Sequence, residues 1–431
     1  MLNIKVLKAL NGDCIIISYG EKEKHNILID GGQGRTGFRQ LCTYVDNEKK
    51  AGNKIDLLIL THIDSDHIDG ILRLLSQKTF DFSLIDEMWF DFGKGLNDLF
   101  GINDRSHQVT LYANSTEISW KQGADMEEII QEKGIRRRIV TKLEQFSISG
   151  ASVTILSPSK EVLKKFCRQD KKEKKATTEI AYRDDYQKSI VELNQKEFER
   201  KISLTNKSSI ACLFQFKKLR ILFLGDSDPE EIVESLAELG YSKNNKLKVE
   251  FCKIAHHASR HNTSNELIQI LDCSNYIIST QQTNDGRPSK ECLSRIICNS
   301  EKSINFYCNY KLDWNNVFSE EEFLKYIVIE QKQRECPLCH MEYQDYNELL
   351  DRNKEIYFIG QLSPKLFDGN ISDSNFVHYL ENCKEYEIDI KKPIRKVEIF
   401  IRKYGIRTIR LVYDEDYFEE VIKEYIETHS V

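Results

Sequence analysis

A chain of 431 residues with 40% hydrophobic, 10% aromatic and 30% charged side chains is globular and long enough for two domains. Its net charge of −6 excludes a globally basic nucleic-acid binder and leaves only local patches for that role. No window approaches the run of about 18 apolar residues that a membrane helix needs, so no membrane contact is expected.

Met1 to Lys5 opens directly on a strand pattern without a secretory leader. Most of the twelve cysteines, Cys14, Cys212 and Cys252 among them, sit in apolar runs, as reduced core thiols do. Both features lead to the expectation of a cytoplasmic protein. Asn3 to Leu10 alternates as a half-buried strand, Asn11-Gly12-Asp13 is turn chemistry, and Cys14 to Tyr19 is a second strand. Asn26 to Ile29 is a third, ending in Asp30-Gly31-Gly32, where glycines permit close backbone approach. Asp30 either orients a ligand histidine or caps the helix expected over Thr36 to Lys50.

Asp56 to Leu60 reads as a buried strand running into Thr61-His62-Ile63-Asp64-Ser65-Asp66-His67-Ile68-Asp69-Gly70. Ile68, Ile71, Leu72 and Leu75 follow at helical spacing, so the stretch is a turn between strand and helix. His62, Asp64, Asp66 and His67 offer imidazole and carboxylate donors within six residues, a set that suits zinc, manganese or iron. A polar turn with a capping Asp and surface histidines is the competing reading. The apolar flanks count against it, because burying these groups carries a desolvation cost that a cation offsets.

After a strand near Ile85 to Phe90, residues 91–122 are too long for a connection and read as an active-site insertion. The aromatics at and just before it (Trp89, Phe90, Phe92 and Trp120) are either base-stacking platforms or ordinary packing. Asp125 to Lys133 is a short helix, and Arg136-Arg137-Arg138 is a basic run leading into a strand. Residues 159–205 form a charged helical insertion that includes Lys171-Lys172-Glu173-Lys174-Lys175, either a solvated excursion or a lid over nucleic acid. Ser209 to Phe216 and Arg220 to Leu224 make a hairpin ending in Gly225-Asp226-Ser227, with Pro229 in the first turn of a helix. Lys248 to Ile254 is a strand ending in Ala255-His256-His257-Ala258-Ser259. Helices at Asn265 to Leu271 and Lys290 to Ile297, and strands at Tyr276 to Ser279 and Ile304 to Cys308, complete an α/β unit with mixed sheets. Ligand candidates thus recur at three strand ends (His62 to His67, Asp226 and His256), the pattern a dinuclear metal site requires.

Five pieces carry a family resemblance: Asn11-Gly12-Asp13-Cys14, Leu28-Ile29-Asp30-Gly31-Gly32, Thr61 to His67, Leu224-Gly225-Asp226 and Ala255-His256-His257-Ala258-Ser259. Together they resemble the metallo-β-lactamase-fold hydrolases, and most closely the subgroup typified by the hydrolase domain of the DNA-uptake channel ComEC, which also has an Asn-Ser strand start (here Asn206 with Ser208 or Ser209). The resemblance implies a four-layer αβ/βα sandwich over residues 1–312 and two divalent metal ions, zinc or manganese. His62 and Asp64 would hold one ion, Asp66 and His67 with His256 the second, and Asp226 would bridge both. The fold's usual third histidine falls near Ser157, where this chain has none, which tilts the first site toward oxygen donors and Mn²⁺. Ala258 stands where the subgroup has glycine, and Arg287 precedes Pro288 where histidine is common. In the implied mechanism Asp66 orients or deprotonates a metal-activated water, and His257 contacts a phosphoryl oxygen or protonates the leaving group. The implied activity is phosphodiester hydrolysis, with nucleic acid the favoured substrate. Arg136 to Arg138, the lysine-rich insertion, Arg260 and Arg287 would then be the backbone-tracking cations. A small-ester hydrolase on the same scaffold, or a weakly active subunit of a prokaryotic antiviral complex, are the alternatives.

Residues 313–431 are expected to form a small α+β module that docks a protein partner or nucleic acid. Cys336-Pro337-Leu338-Cys339 is a CxxC knuckle that His378 and Cys383 would complete as a structural zinc site, with His340 an alternative ligand.

Overall fold

The structure is a computed structural model that describes residues 2–102, 115–168, 185–282, 286–300, 302, 304–319, 322, 328–331 and 409–413. The candidate knuckle of Cys336, Cys339, His378 and Cys383, with His340, lies outside the described residues, as does the Lys171 to Lys175 run. Six strands form a first sheet in chain order: β1 (Leu2–Val6), β2 (Ile15–Tyr19), β3 (His25–Ile29), β4 (Leu57–Leu60), β5 (Met88–Phe90) and β6 (Arg137–Arg138). β1, β2 and β3 pair antiparallel, and β3 to β6 run parallel.

The next strands are β7 (Gln145–Ile148), β8 (Ala151–Ser157), β9 (Ala211–Phe216), β10 (Leu219–Phe223), β11 (Leu247–Lys248), β12 (Phe251–Lys253) and β13 (Leu271–Asp272). β14 (Asn275–Ile278), β15 (Ile304–Cys308), β16 (Val328–Gln331) and β17 (Ile409–Tyr413) follow. The second sheet has the order β16-β17-β15-β14-β12-β10-β9-β8-β7, while β11 and β13 make a separate pair. β17 pairs parallel with β15. Trp314, Val317 and Phe318 pack into the same core as Ile296 and Phe306. Described residues on both sides of position 312 therefore share this sheet and core.

The strands are apolar on both faces because each sheet is covered twice. Successive side chains of a strand point to opposite faces. Ile15, Ile17, Leu57, Ile59, Ile221 and Phe223 fill the core between the two sheets. Ile16, Leu58 and Leu60 face α1 (Arg35–Lys50) and α2 (Ser65–Leu75) on one outer side. α3 (Gly93–Phe100), α4 (Ser115–Lys133) and α5 (Lys160–Cys167) add Leu96, Met126 and Phe166 to that outer core. Beyond α6 (Ile190–Gln195) and α7 (Leu204–Lys207) come α8 (Pro229–Glu238), α9 (Asn265–Ile270) and α10 (Lys290–Asn299). These last three cover Leu222, Leu224 and Ile278 on the other outer side. The result is a four-layer αβ/βα sandwich.

The first insertion is more regular than its composition suggests. α4 starts at Ser115, ten residues before the expected helix. A Cβ on Gly123 would meet the Phe92 ring at 2.8 Å, so the glycine that lowers helix propensity is there to admit that ring. Trp89, Phe90 and Phe92 are buried, and Trp120 stacks on Phe166. These rings are packing and not a base-stacking platform. Among the described residues no helix is long and apolar enough to cross a membrane.

Candidate metal centre

All the strand ends that bear ligand candidates meet at one edge of the sandwich. The approach of β3 to α2 sets the position of the first group. Gly31 N–H donates to the His67 carbonyl at 2.8 Å and Gly70 N–H to that of Gly32 at 2.9 Å. A Cβ on Gly31 would lie 2.2 Å from Ile71 N, and one on Gly70 1.9 Å from Gly31 O. No side chain fits between these segments, so α2 sits flush on the sheet and presents His62 to His67 at its edge. The turn after β10 is fixed in the same way, with Asp226 N–H donating to Ser209 Oγ at 3.0 Å and His256 N–H to the Gly225 carbonyl at 2.9 Å.

Asp226 is the hub. Its Oδ2 lies 3.8 Å from His62 Nε2 and 3.5 Å from His256 Nε2, and Asp64 Oδ2 lies 3.5 Å from the same His62 nitrogen. Its Oδ1 lies 3.4 Å from His67 Nε2 and 3.8 Å from His257 Nε2, with Asp66 Oδ2 3.4 Å from His257 Nε2 and 3.9 Å from His67 Nε2. Two sets thus flank one carboxylate, His62, Asp64 and His256 toward one oxygen and Asp66, His67 and His257 toward the other, with donor atoms of His62, His67 and Asp226 also within 4.8 Å of one another.

Every imidazole is held by its far nitrogen. His67 Nδ1 meets Asp30 Oδ2 at 2.7 Å, His257 Nδ1 meets the Ser279 carbonyl at 2.8 Å, and His256 Nδ1 meets Asn262 Oδ1 at 2.9 Å. Thr61 Oγ1 donates to Asp30 and so accepts from His62 Nδ1 at 3.0 Å. Nδ1–H donors fix the tautomer, which turns the four Nε2 lone pairs toward Asp226. Nε2 of His62, His67 and His257, together with Asp226 Oδ1, are buried with no hydrogen-bond partner. Buried polar atoms are paired as a rule, and orphaned lone pairs around one carboxylate fit divalent cations. Charge shapes the same cluster. Burial raises the Asp66 carboxyl, but the imidazoles of His67 and His257 outweigh it and hold the group below the usual range. Burial likewise opposes ionisation of Asp226, and His256, His67 and His257 carry it well below. Burial and the Arg287 guanidinium push His256 down to about 3.

Two sequence expectations need correction. His256 Nε2 is 3.5 Å from Asp226 Oδ2, the oxygen that faces His62 and not the one that faces Asp66 and His67, and the Ser157 hydroxyl donates to the Ser209 carbonyl. His257 is fully buried with Nε2 aimed at Asp66 and Asp226, so it has no face for a leaving group. The cause is backbone geometry. His256, His257 and Ala258 have φ of 49°, 56° and 65°, a left-handed run that sends adjacent imidazoles to opposite oxygens. Ala258→Gly is therefore expected to raise stability by about 0.5 kcal/mol, read as a higher denaturant midpoint at unchanged slope.

The basic run is also occupied elsewhere. Arg136 and Arg138 pair with Glu87 at 3.1 and 2.6 Å, and Arg137 with Glu127 at 2.5 Å. Asn262 and the ion pair Asp13–Lys253 went unnoticed in the sequence, and Asn206, read there as a strand start, places its Nδ2 3.3 Å from His256 Nδ1. Asp30 proves to be an orienting group that accepts from Thr61 N, Thr61 Oγ1 and His67 Nδ1. Asp30→Ala is expected to weaken metal affinity 10- to 100-fold, about the usual effect of losing such a support, as measured by competition with a chelator.

Residues 7–81 match the family model of the metallo-beta-lactamase superfamily. That match spans the strands and turn that deliver Asp30 and His62 to His67. Among solved structures, CmlA, a diiron beta-hydroxylase from Streptomyces venezuelae, aligns at 13% identity over 76% of this chain and 50% of its own, with a TM-score of 0.33. The metallo-beta-lactamase fold protein YhfI from Bacillus subtilis aligns at 11% identity over 73% and 90%, with a TM-score of 0.32. Zn(2+)-bound PqqB from Methylobacterium extorquens aligns at 11% identity over 55% and 58%, with a TM-score of 0.27. The chain spans about half the length of CmlA, 45% and 50% in two structures. At these scores none of the likenesses bears on what the chain does. No curated protein matches it in sequence.

Proposed function

We propose that this chain is a metal-dependent hydrolase of anionic esters, with phosphodiesters the favoured class and nucleic acid the finer expectation. The observation that carries the reading is the pair of donor sets sharing Asp226. His62, Asp64, His256 and Asp226 would hold one divalent cation, and Asp66, His67, His257 and Asp226 the other. Such a pair supplies Lewis acidity for activating water and for drawing charge off a phosphoryl group.

The residues themselves define the open side. The side chains of Asp64, Asp66 and His256 are 33%, 24% and 19% exposed, while His62, His67 and His257 are sealed. Substrate therefore arrives over Asp64 and Asp66, and Asp66 alone of the second set reaches the open side, where it can orient an incoming water. Two divalent charges would face Asp64, Asp66 and Asp226, with Asp30 behind His67, so the attraction for an anion comes from open coordination positions on the exposed side and not from a large net charge. Arg287 adds to this, since its charge is felt at His256. Of the basic run, Arg137 is largely buried against Glu127, which leaves Arg136, 70% exposed, as the member most open to a polynucleotide.

The test is a panel of bis(p-nitrophenyl) phosphate, p-nitrophenyl phosphate and p-nitrophenyl acetate with Mn²⁺- or Zn²⁺-loaded protein. The diester is expected to turn over fastest, and His62→Ala with Asp66→Ala to abolish it. Preference for the acetate, or no turnover with metal demonstrably bound, would overturn the phosphodiester reading.

A further inference from the structure

A cation lies beneath this centre at a place where no ligand role calls for one. Lys253, the last residue of β12, is fully buried, and its ammonium is ion-paired with Asp13 at the turn before β2, also buried. Burying two charges costs several kcal/mol per ion, and an apolar pair would fill the same space without that cost. The pair must therefore be read against its surroundings.

Asp13 Oδ1 has no hydrogen-bond partner and stands 3.5 Å from His257 Nδ1. Asp13, Asp30 and His67 bring donor atoms within 4.8 Å of one another. Two carboxylates thus stand close behind two of the imidazoles, a spacing at which they repel unless a cation is adjacent. Meanwhile the ring of His257 is turned by its bond to the neutral Ser279 carbonyl at 2.8 Å, with Asp13 the more distant acceptor. A carboxylate accepts a hydrogen bond roughly twice as strongly as a carbonyl, so an unpaired Asp13 would draw that N–H away.

We propose that Lys253 is a positioning residue for the Asp66–His67–His257 side of the centre. By engaging Asp13, it leaves the His257 ring on the Ser279 carbonyl, with Nε2 directed at Asp66 and Asp226. The inference rests on the metal-binding reading above and adds a residue that touches neither metal nor substrate.

The test uses Mn²⁺ alone, which suits nitrogen and oxygen donors and not a thiolate knuckle. Free Mn²⁺ is followed by electron paramagnetic resonance during titration of the full chain, of Lys253→Met and of Lys253→Met/Asp13→Asn. The wild type is expected to bind two equivalents, and Lys253→Met to hold one of them about 10- to 100-fold more weakly. The double variant removes the stranded charge and is expected to regain the second equivalent. A purely structural lysine would lower the melting temperature of both variants and leave two tight equivalents per folded chain in the single one, and that result overturns the proposal. If Lys253→Met does not fold, Lys253→Gln takes its place: one equivalent held about 10- to 100-fold more weakly supports the proposal, and two tight equivalents overturn it. A wild type that binds no Mn²⁺ would instead sink the metal reading itself, a distinguishable outcome.

Discussion

Asp226→Ala is expected to empty both halves of the centre together and to reduce diester hydrolysis by about a thousandfold. Its two oxygens face different donor sets, Oδ2 toward His62 and His256 and Oδ1 toward His67 and His257. Loss of the carboxylate removes one donor from each set and leaves four imidazoles without the charge around which they are arranged. Electrophilic assistance from bound cations amounts to several kcal/mol, and each 1.4 kcal/mol is a factor of ten, which gives the magnitude. Elemental analysis beside a diester assay measures both effects. The fold should persist, because the backbone of this turn is held independently by Ser209 Oγ and by Asn262 Nδ2 on the Asp226 carbonyl.

The second large effect separates the neighbouring histidines. His256→Ala and His257→Ala are each expected to lose one metal equivalent, but from opposite sides of Asp226. Combining His62→Ala with His256→Ala should cost no further equivalent, since both residues serve one set. Combining His62→Ala with His257→Ala should remove both equivalents. Activity is expected to fall by at least about a hundredfold in each single variant, in line with the loss of one element of transition-state charge stabilisation. If the ion near His256 were instead the one held by Asp66 and His67, the two combinations would exchange their results.

Much of this architecture is written locally in the chain. The runs Ile15 to Tyr19, Leu57 to Leu60 and Ile221 to Phe223 are apolar throughout because both faces are covered, so strand identity and the α/β class follow from composition alone. Donors placed directly after such runs had to collect at a sheet edge, and His62, Asp66, Asp226 and His256 do. The division of labour within Ala255 to Ala258 was not legible, because three consecutive non-glycine residues at positive φ leave no mark in residue type. Neither was the support beneath it. Asp13 read as part of a turn, and its partner Lys253 lies 240 residues further along the chain. The arginines at 136 to 138 looked free for phosphate because nothing in the residue pattern shows that Glu87, about fifty residues earlier, and Glu127 fold back against them. Helix α4 was clipped for a comparable reason: Gly123 breaks its propensity and is required only by the Phe92 ring packed against it.

Anomalous diffraction from a crystal soaked in zinc addresses the central claim most directly. Two peaks are predicted on either side of the Asp226 carboxylate, one contacted by His62, Asp64 and His256 and the other by Asp66, His67 and His257. Absence of density there at saturating zinc, or a single ion touching neither His256 nor His257, would contradict the account.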